Sequence, residues 1–189
     1  MHVTKLERSG YMLKLPDSIL VFDYTRDQGH HVEKALREQP EKAVVFFVTH
    51  NHRYTFDTDI FNMAQSHKRV YVLSNDIPTR EIHDDMPIAW MSAGDRIEDV
   101  AGKGINVEAL DAGSGIAYYV TAGDATVFFG GALGEETDKK RTEVLIQRIA
   151  TEHPSVALAI VAESVADVFA AKISVTKMAT YQDLSLIHI

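Results

Sequence analysis

At 189 residues the chain has the length of a single domain, with enough residues to bury a real hydrophobic core. Hydrophobic residues make up 46% and charged residues 24%, which is typical of a soluble globular protein, and we expect neither a membrane span nor a signal segment. A net charge of −8 without a cluster of Lys and Arg argues against nucleic-acid binding, and the lack of cysteine excludes disulfides and thiolate metal sites. Any metal must therefore bind to histidine and carboxylate, and we expect a cytoplasmic protein.

The first 24 residues predict a β-meander. Its three short strands cover residues 2–6, 11–15 and 19–22, and they are separated by turns at Ser9-Gly10 and at residues 16–18. Asp23 follows the third strand directly. Residues 32–37 then predict a short helix that ends before Pro40, and we interpret the adjacent His30 and His31 as solvated loop residues.

A buried strand followed by a polar loop is the most informative stretch of the sequence. Ala43–Val48 is apolar without alternation and rich in β-branched and aromatic residues, which predicts a strand buried on both faces. The polar loop at residues 49–52 follows at once. Asp57 or Thr58 is then predicted to cap an amphipathic helix with the apolar residues Ile60, Phe61, Met63 and Ala64.

The loop carries two histidines, His50 and His52, that are two residues apart. If the chain stays extended there, both imidazoles point to the same side, and together they could hold one metal ion. The pair alone is equally compatible with two exposed loop histidines, which is the commoner case. A third reading is an ordinary α/β binding domain in which the pair is accidental.

The rest of the chain predicts further strands and two helices. We expect strands at Arg69–Ser74, Ile88–Met91, residues 104–110, residues 116–120, Ala125–Phe129 and residues 156–161, with a hairpin turn at residues 121–124. The helices are predicted at residues 135–152 and 165–172, and no clear periodicity follows residue 174. A run of strands with helices placed outside predicts a sheet sandwich covered by helices.

Residues 50–55, His-Asn-His-Arg-Tyr-Thr, resemble the first motif of the metallo-β-lactamase fold superfamily of metal-dependent hydrolases, His-x-His-x-Asp-His directly after a buried strand. The resemblance extends to residues 20–24, 72–77, 111–118 and 130–133 and covers the chain from residue 2 to about 162. It implies an α/β (α+β) fold, a metallo-β-lactamase-like αββα sandwich of two mixed β-sheets covered by helices, in one domain of residues 1–183. It also implies that Asp23 stands behind the metal loop and orients its histidines. A carboxylate that caps the next turn is an equal alternative for Asp23.

The ligand positions depart from the family pattern. Tyr54 and Thr55 replace the Asp and His of the motif, and Ala132 stands where the resemblance places a bridging aspartate. The acidic position of the hairpin falls on Gly113, and the nearest carboxylate, Asp111, is either a third metal ligand or, preferably, a strand-end turn residue. The resemblance therefore implies at most one weakly held ion of zinc, manganese or iron at His50 and His52, with Asp111 as a helper. No bound metal is the other reading.

The end of the chain reads differently from the rest. Residues 184–189, Leu-Ser-Leu-Ile-His-Ile, resemble the translation of a sequencing adapter, so we expect a non-native tail and a domain that is truncated at its C-terminus. His188 is then no metal ligand. Residues 174–189 are expected to pack poorly, and the strand at residues 156–161 is expected to leave an unpaired edge that favours self-association.

Three functions follow from these observations. The first is a metallo-β-lactamase-fold relative of metal-dependent hydrolases with a degraded metal motif and little or no hydrolase activity. The second is an active hydrolase of unknown substrate that uses a residual single-metal site at His50 and His52. The third is a non-catalytic binding or regulatory module for an unknown small-molecule ligand. None of the three involves nucleic acid or a membrane.

Overall fold

Two six-stranded mixed sheets face each other in the computed structural model, which describes residues 1–78, 80, 82, 85–134 and 139–181. The strands of each sheet follow one another in chain order across the sheet. Helices lie on the two outer faces, so the architecture is the αββα sandwich that the sequence predicts.

The first sheet is built from the N-terminal half of the chain. Its strands are β1 His2–Lys5, β2 Tyr11–Lys14, β3 Ser18–Phe22, β4 Ala43–Val48, β5 Arg69–Ser74 and β6 Ile88–Met91. The first three pair antiparallel, and β3 to β6 pair parallel. Helix α1, His31–Glu38, and a 3₁₀ helix, Thr58–Asn62, cover its outer face, where their apolar residues share one cluster with Val44 and Phe46.

The second sheet is built from the C-terminal half. Its strands are β7 Arg96–Val100, β8 Ile105–Asp111, β9 Ile116–Ala122, β10 Ala125–Phe129, β11 Ser155–Ala162 and β12 Ser174–Tyr181. The strands β7 to β10 pair antiparallel, and β10 to β12 pair parallel. Helices α2, Lys139–Glu152, and α3, Ala166–Lys172, lie on its outer face, where Phe128 contacts Phe169 with ring centroids 4.6 Å apart. None of the helices in the described residues is long and apolar enough to cross a lipid bilayer.

Aromatic side chains join the two sheets at the centre of the core. Phe22 stacks on Phe47 within the first sheet, at 4.5 Å between ring centroids, and on Phe129 of the second sheet, at 4.7 Å. Tyr118 of β9 reaches across the sandwich, and its hydroxyl donates to the carbonyl oxygens of Val48 at 2.9 Å and Val72 at 3.2 Å. Because those carbonyls lie at or near the ends of β4 and β5, Tyr118 fixes β9 against the edge where the first sheet's parallel strands end.

Two segments differ from the sequence prediction. The helix after the His loop is a five-residue 3₁₀ helix, because Met63 is extended and Ala64 has a φ of +52°, which ends the helix before a second turn. Strand β7 was not predicted, since it is an edge strand with exposed charged residues. Residues 135–138 of the predicted helix and the tail at 184–189 lie outside the described residues.

The expectation of poor packing after residue 174 is wrong for residues 174–181. These residues form β12, which pairs in parallel register with β11 from Ser155↔Ser174 to Ala162↔Tyr181. Tyr181 is buried at its end. The expected unpaired edge at residues 156–161 is therefore wrong too, because β11 lies between β10 and β12. Propensity failed here because pairing with a neighbouring strand, rather than an alternating pattern, holds the segment.

Candidate functional site at the strand ends

Loops from both sheets meet at one edge of the sandwich. Asp23 follows β3 and Thr49 follows β4, while the N–H of Ile116, the first residue of β9, donates to the carbonyl oxygen of Thr49 at 3.0 Å. Gly131 follows β10 and lies against Thr49 and Ile116. The carboxyl ends of parallel strands are the usual place for a site in such folds, because the sheet fixes the loops while their tips reach solvent.

A chain of hydrogen bonds runs from Asp23 through Thr49 to His50. The Asp23 carboxylate is fully buried and accepts the Thr49 N–H at 2.9 Å and the Thr49 hydroxyl at 2.8 Å. The same hydroxyl oxygen lies 3.0 Å from Nδ1 of His50. Asp23 therefore orients His50 through Thr49, and the predicted role of Asp23 behind a metal site remains a prediction. Its φ of +45° places it in the left-handed region, which is a strained conformation for a residue other than glycine.

This series of hydrogen bonds determines which ring nitrogen of His50 carries the proton. A hydroxyl has one proton, and that of Thr49 goes to the Asp23 carboxylate, so Nδ1 of His50 must donate its own proton to the hydroxyl oxygen. The Nε2 atom then carries the lone pair that a metal ligand needs. Burial lowers the pKa of His50 to about 4, helped by the neighbouring His52 and opposed by Asp76. His50 is therefore neutral at pH 7, as metal binding requires.

The second histidine lies beside the first. The rings of His50 and His52 are 5.9 Å apart at an interplanar angle of 23°, so both project to the same side of the loop. The Tyr54 N–H lies 3.4 Å from Nδ1 of His52, which is a weak hydrogen bond that costs little to lose. The Asp76 carboxylate accepts the Asn51 N–H at 2.9 Å and ties the loop to the end of β5.

Two glycines allow the second sheet to approach this loop. A Cβ atom on Gly115 would lie 2.4 Å from Cβ of His50 and 2.6 Å from the Thr49 carbonyl oxygen. A Cβ atom on Gly131 would lie 2.6 Å from the Ile116 carbonyl oxygen and 2.7 Å from Cβ of Thr49. Both residues have positive φ, +68° and +56°, so both the backbone conformation and the space require glycine.

The residues that replace the motif's other ligands have structural roles. The Thr55 hydroxyl donates to the carbonyl oxygens of His50 at 2.9 Å and His52 at 3.1 Å, so it closes the loop on itself. Ala132 is buried. Tyr54 packs edge-on against His52, with ring centroids 5.1 Å apart. None of these three side chains offers a metal ligand at neutral pH.

Asp111 is at the end of β8, where its carboxylate accepts the Gly113 N–H at 2.8 Å in a tight turn. It also lines a cleft of about 400 Å³ between α2 and the second sheet. Among the described residues, no group of three His, Asp or Glu ligand atoms that all lie within 4.8 Å of one another includes His50 or His52. The two imidazoles can hold one ion together, whereas a catalytic zinc site has three protein ligands.

A different group of side chains within the described residues has metal-ligand spacing. Ligand atoms of Glu108, Glu152 and His153 lie within 4.8 Å of one another, on the outer face of the second sheet. Nε2 of His153 lies 3.1 Å from Glu108, and Arg96 pairs with Glu108 at 2.8 Å and with Glu152 at 3.5 Å. The His153 ring stacks on Tyr119 at 3.8 Å. The single positive charge of Arg96 is shared between the two carboxylates, and this network fastens the end of α2 to β8.

Sequence reasoning assigned no role to Thr49, Asp76 or Tyr118. The position of Thr49 directly before His50 could have indicated its role from the sequence. A hydroxyl at this position can contact both His50 and Asp23, the aspartate that follows β3. Asp76 contacts Asn51, which is 25 residues away in the sequence, and Tyr118 contacts Val48, which is 70 residues away. Those contacts become visible only in the folded protein.

Comparisons with known proteins agree with this architecture. No protein-family model and no curated protein matches the sequence. Among solved structures, Igni18, a metallo hydrolase from Ignicoccus hospitalis, is similar with a TM-score of 0.59 and 12% identity over 84% of this chain and 69% of that one. The metallo-β-lactamase fold protein YhfI from Bacillus subtilis gives 0.53 and 16% identity, over 91% and 70% of the two chains. Zn(2+)-bound PqqB from Methylobacterium extorquens gives 0.52 and 12%, over 95% and 67%.

At identities of 12 to 16% the similarity concerns the fold. It is shared by many solved structures that are described as metal-dependent hydrolases, and it spans both sheets of the sandwich. The chain has the metallo-β-lactamase fold.

Proposed function

We propose that this chain is a relative of metal-dependent hydrolases whose metal site is reduced to His50 and His52. It holds at most one ion of the zinc type, weakly, and has little or no hydrolase activity. The observation that carries the proposal is the donor set at the strand ends. Two imidazoles project to one side, and the three positions that the family fills with ligands hold side chains committed elsewhere.

The chemistry of such a site is limited by the number of ligands. A bound zinc ion polarises a substrate oxygen and lowers the pKa of a bound water, provided that the protein holds it firmly in a defined geometry. In this chain burial lowers the pKa of His50 and keeps it neutral, and the Asp23–Thr49–His50 hydrogen bonds orient its ring. His52 has no comparable support, because its Nδ1 contact with the Tyr54 N–H is long. One well-oriented histidine and one loosely oriented histidine support weak binding.

A second candidate is an active hydrolase with a single-metal site. The supported orientation of His50 favours it, because a carboxylate and a hydroxyl behind a ligating histidine fix its ring and its tautomer for metal binding. The two candidates differ in whether His50 and His52 are sufficient for turnover.

Restoring the missing ligands tests the proposal. The triple variant Tyr54→Asp, Thr55→His and Ala132→Asp should bind zinc at least about tenfold more tightly than any of its single variants, because ligands act jointly on one ion. Zinc affinity is measured by competition with a chromophoric chelator. The matched control carries Asn, Gln and Asn at the same three positions, which have similar size but no anionic or imidazole ligand.

Hydrolysis of chromogenic esters and phosphodiesters is followed in parallel. We expect the parent protein to show no zinc-dependent turnover and the restored triple variant to gain it. If the triple variant binds zinc no more tightly than its control, the assignment of these positions is wrong. If the parent turns over a substrate with zinc and loses this on His50→Gln, the second candidate replaces the first.

A further inference from the structure

Two arginines converge on the tyrosine beside the histidine loop. Cζ of Arg8 lies 4.7 Å from the ring centroid of Tyr54, and Cζ of Arg53 lies 4.6 Å from it. The Tyr54 ring in turn contacts the ring of His52 at 5.1 Å. Both guanidiniums are therefore within about 10 Å of a proposed metal ligand.

Neither arginine has a carboxylate partner. No carboxylate oxygen of the described residues lies within 4.0 Å of the Arg8 or Arg53 guanidinium. Elsewhere Arg96 pairs with two glutamates, and Arg69 donates to backbone carbonyls. The chain as a whole has a net charge of −8, so two guanidiniums beside the same tyrosine ring form a local positive patch on a negatively charged protein.

A guanidinium that lies over an aromatic ring can keep its hydrogen-bonding edge available. A guanidinium that rests on an aromatic ring uses its face, while its N–H donors lie in its plane and point outward. Such a fork matches the oxygens of a phosphate or a carboxylate, and two forks match the two charges of a phosphate monoester. Both arginine side chains are exposed, so an anion can reach them.

The backbone at Arg8 is held in a conformation that arginine rarely adopts. Its φ is +59°, in the turn between β1 and β2, where glycine would be the unstrained choice. The Ser9 hydroxyl donates to the Tyr54 carbonyl oxygen at 3.3 Å and ties this turn to the histidine loop.

We propose that Arg8 and Arg53 bind the phosphate group of a small phosphate monoester beside the histidine loop. This names the ligand class of the same site and rests on the proposed function for its link to the metal position at His50 and His52. Tyr54, at the position of the motif's aspartate, then has a positive role: its ring contacts both guanidiniums.

The test uses the whole chain in EDTA, so that the presence or absence of zinc does not affect the result. Benzyl phosphate is titrated into ¹⁵N-labelled protein while the side-chain Nε–H signals of Arg8 and Arg53 are followed. Benzoate and benzyl alcohol are the comparison ligands for a carboxylate and for the ring alone. We expect saturable shifts with benzyl phosphate, weaker binding of benzoate and none of benzyl alcohol.

Four variants locate the binding. Arg8→Gln and Arg53→Gln should each weaken benzyl phosphate binding at least about tenfold. Arg37→Gln removes the same charge from an exposed position on α1 and should leave binding unchanged. Arg8→Gly relieves the positive φ, so it should retain or raise the melting temperature while losing binding, which separates binding from folding.

The proposal is overturned if benzyl phosphate gives no saturable shift, or if Arg37→Gln weakens binding as much as Arg8→Gln and Arg53→Gln do. Benzoate that binds as tightly as benzyl phosphate would make the ligand a carboxylate and the phosphate assignment wrong. A ligand-restoring triple variant that binds zinc no more tightly than its control would end the proposed function and leave this anion site standing.

Discussion

Replacing Thr49 with valine should destabilise the protein by about 2 to 3 kcal/mol. The Thr49 hydroxyl donates to the fully buried Asp23 carboxylate at 2.8 Å, and hydrogen bonds to buried charged groups contribute roughly 1.5 to 3 kcal/mol. Valine keeps the shape of the side chain and adds no cavity. The cost therefore comes from removing the hydroxyl donor to Asp23 and, with it, the acceptor of the His50 Nδ1 proton.

Serine at the same position is the matched control. Thr49→Ser keeps the hydroxyl and deletes one buried methyl group, which costs roughly 1 kcal/mol. We therefore expect Thr49→Val to be the less stable of the two by about 1 to 2 kcal/mol. In a domain of this size that corresponds to roughly 2 to 8 °C in melting temperature.

Urea unfolding at neutral pH measures the stabilities, with an unchanged m-value as the sign that both variants unfold from the same native state. The ¹⁵N shifts of the His50 ring provide a second readout, because Nδ1 carries the proton in the parent and loses its acceptor in the valine variant. Equal stability of Thr49→Val and Thr49→Ser, within about 0.5 kcal/mol, would refute the Asp23–Thr49–His50 chain as a stabilising element.

Two further predictions concern the same edge of the sandwich. Gly115→Ala should lower the free energy of unfolding by about 2 to 4 kcal/mol, because the added Cβ meets His50 and the Thr49 carbonyl. Gly123→Ala is the control and should cost only about 1 kcal/mol, because Gly123 has a similar φ but no atom within 4 Å of the added Cβ. Thermal unfolding compares the two variants, and equal losses of stability would contradict the close contact at Gly115. The second prediction concerns pH, because the pKa of His50 in the folded protein is lowered from 6.5 to about 4. As the pH falls below 6.5, the unfolded chain takes up a proton at His50 while the folded protein does not, and the free energy of unfolding therefore decreases. The free energy of unfolding, measured with urea, should fall between about pH 7.5 and 5 by about 2 kcal/mol more in the parent than in His50→Gln. If the difference in stability between the two proteins stays constant over this pH range, the pKa of His50 is not lowered in the folded protein.

Much of the fold could be predicted because the strands that form its centre are strongly patterned. Ala43–Val48 is apolar at every position, and the strand the sequence predicts has the same bounds in the structure. Arg69–Ser74 and Ala125–Phe129 are recovered in the same way. Edge strands were the failures: β7 carries charged residues on its exposed side, and β12 alternates weakly, so tertiary pairing and not local pattern determines both.

The site was predictable only in part. The sequence places His50 and His52 after a buried strand, and the structure agrees, but nothing local indicates that His50 is buried while His52 is partly exposed. That difference arises from Gly115, which brings the second sheet onto the His50 backbone from 65 residues away. The metal-ligand roles of His50, His52 and Asp111 remain predictions.

Metal content is the most direct test of the central claim, a single weak site at His50 and His52. The protein is purified without chelator and analysed by mass spectrometry for bound metal, before and after addition of zinc or manganese and dialysis. A double variant, His50→Gln with His52→Gln, tests the site, and Glu108→Gln with His153→Gln controls for the network on the outer face. We predict well under one equivalent after dialysis, up to about one equivalent when zinc is present, and loss of that equivalent only in the first double variant. Two retained equivalents, or one that survives His50→Gln with His52→Gln, would contradict the account.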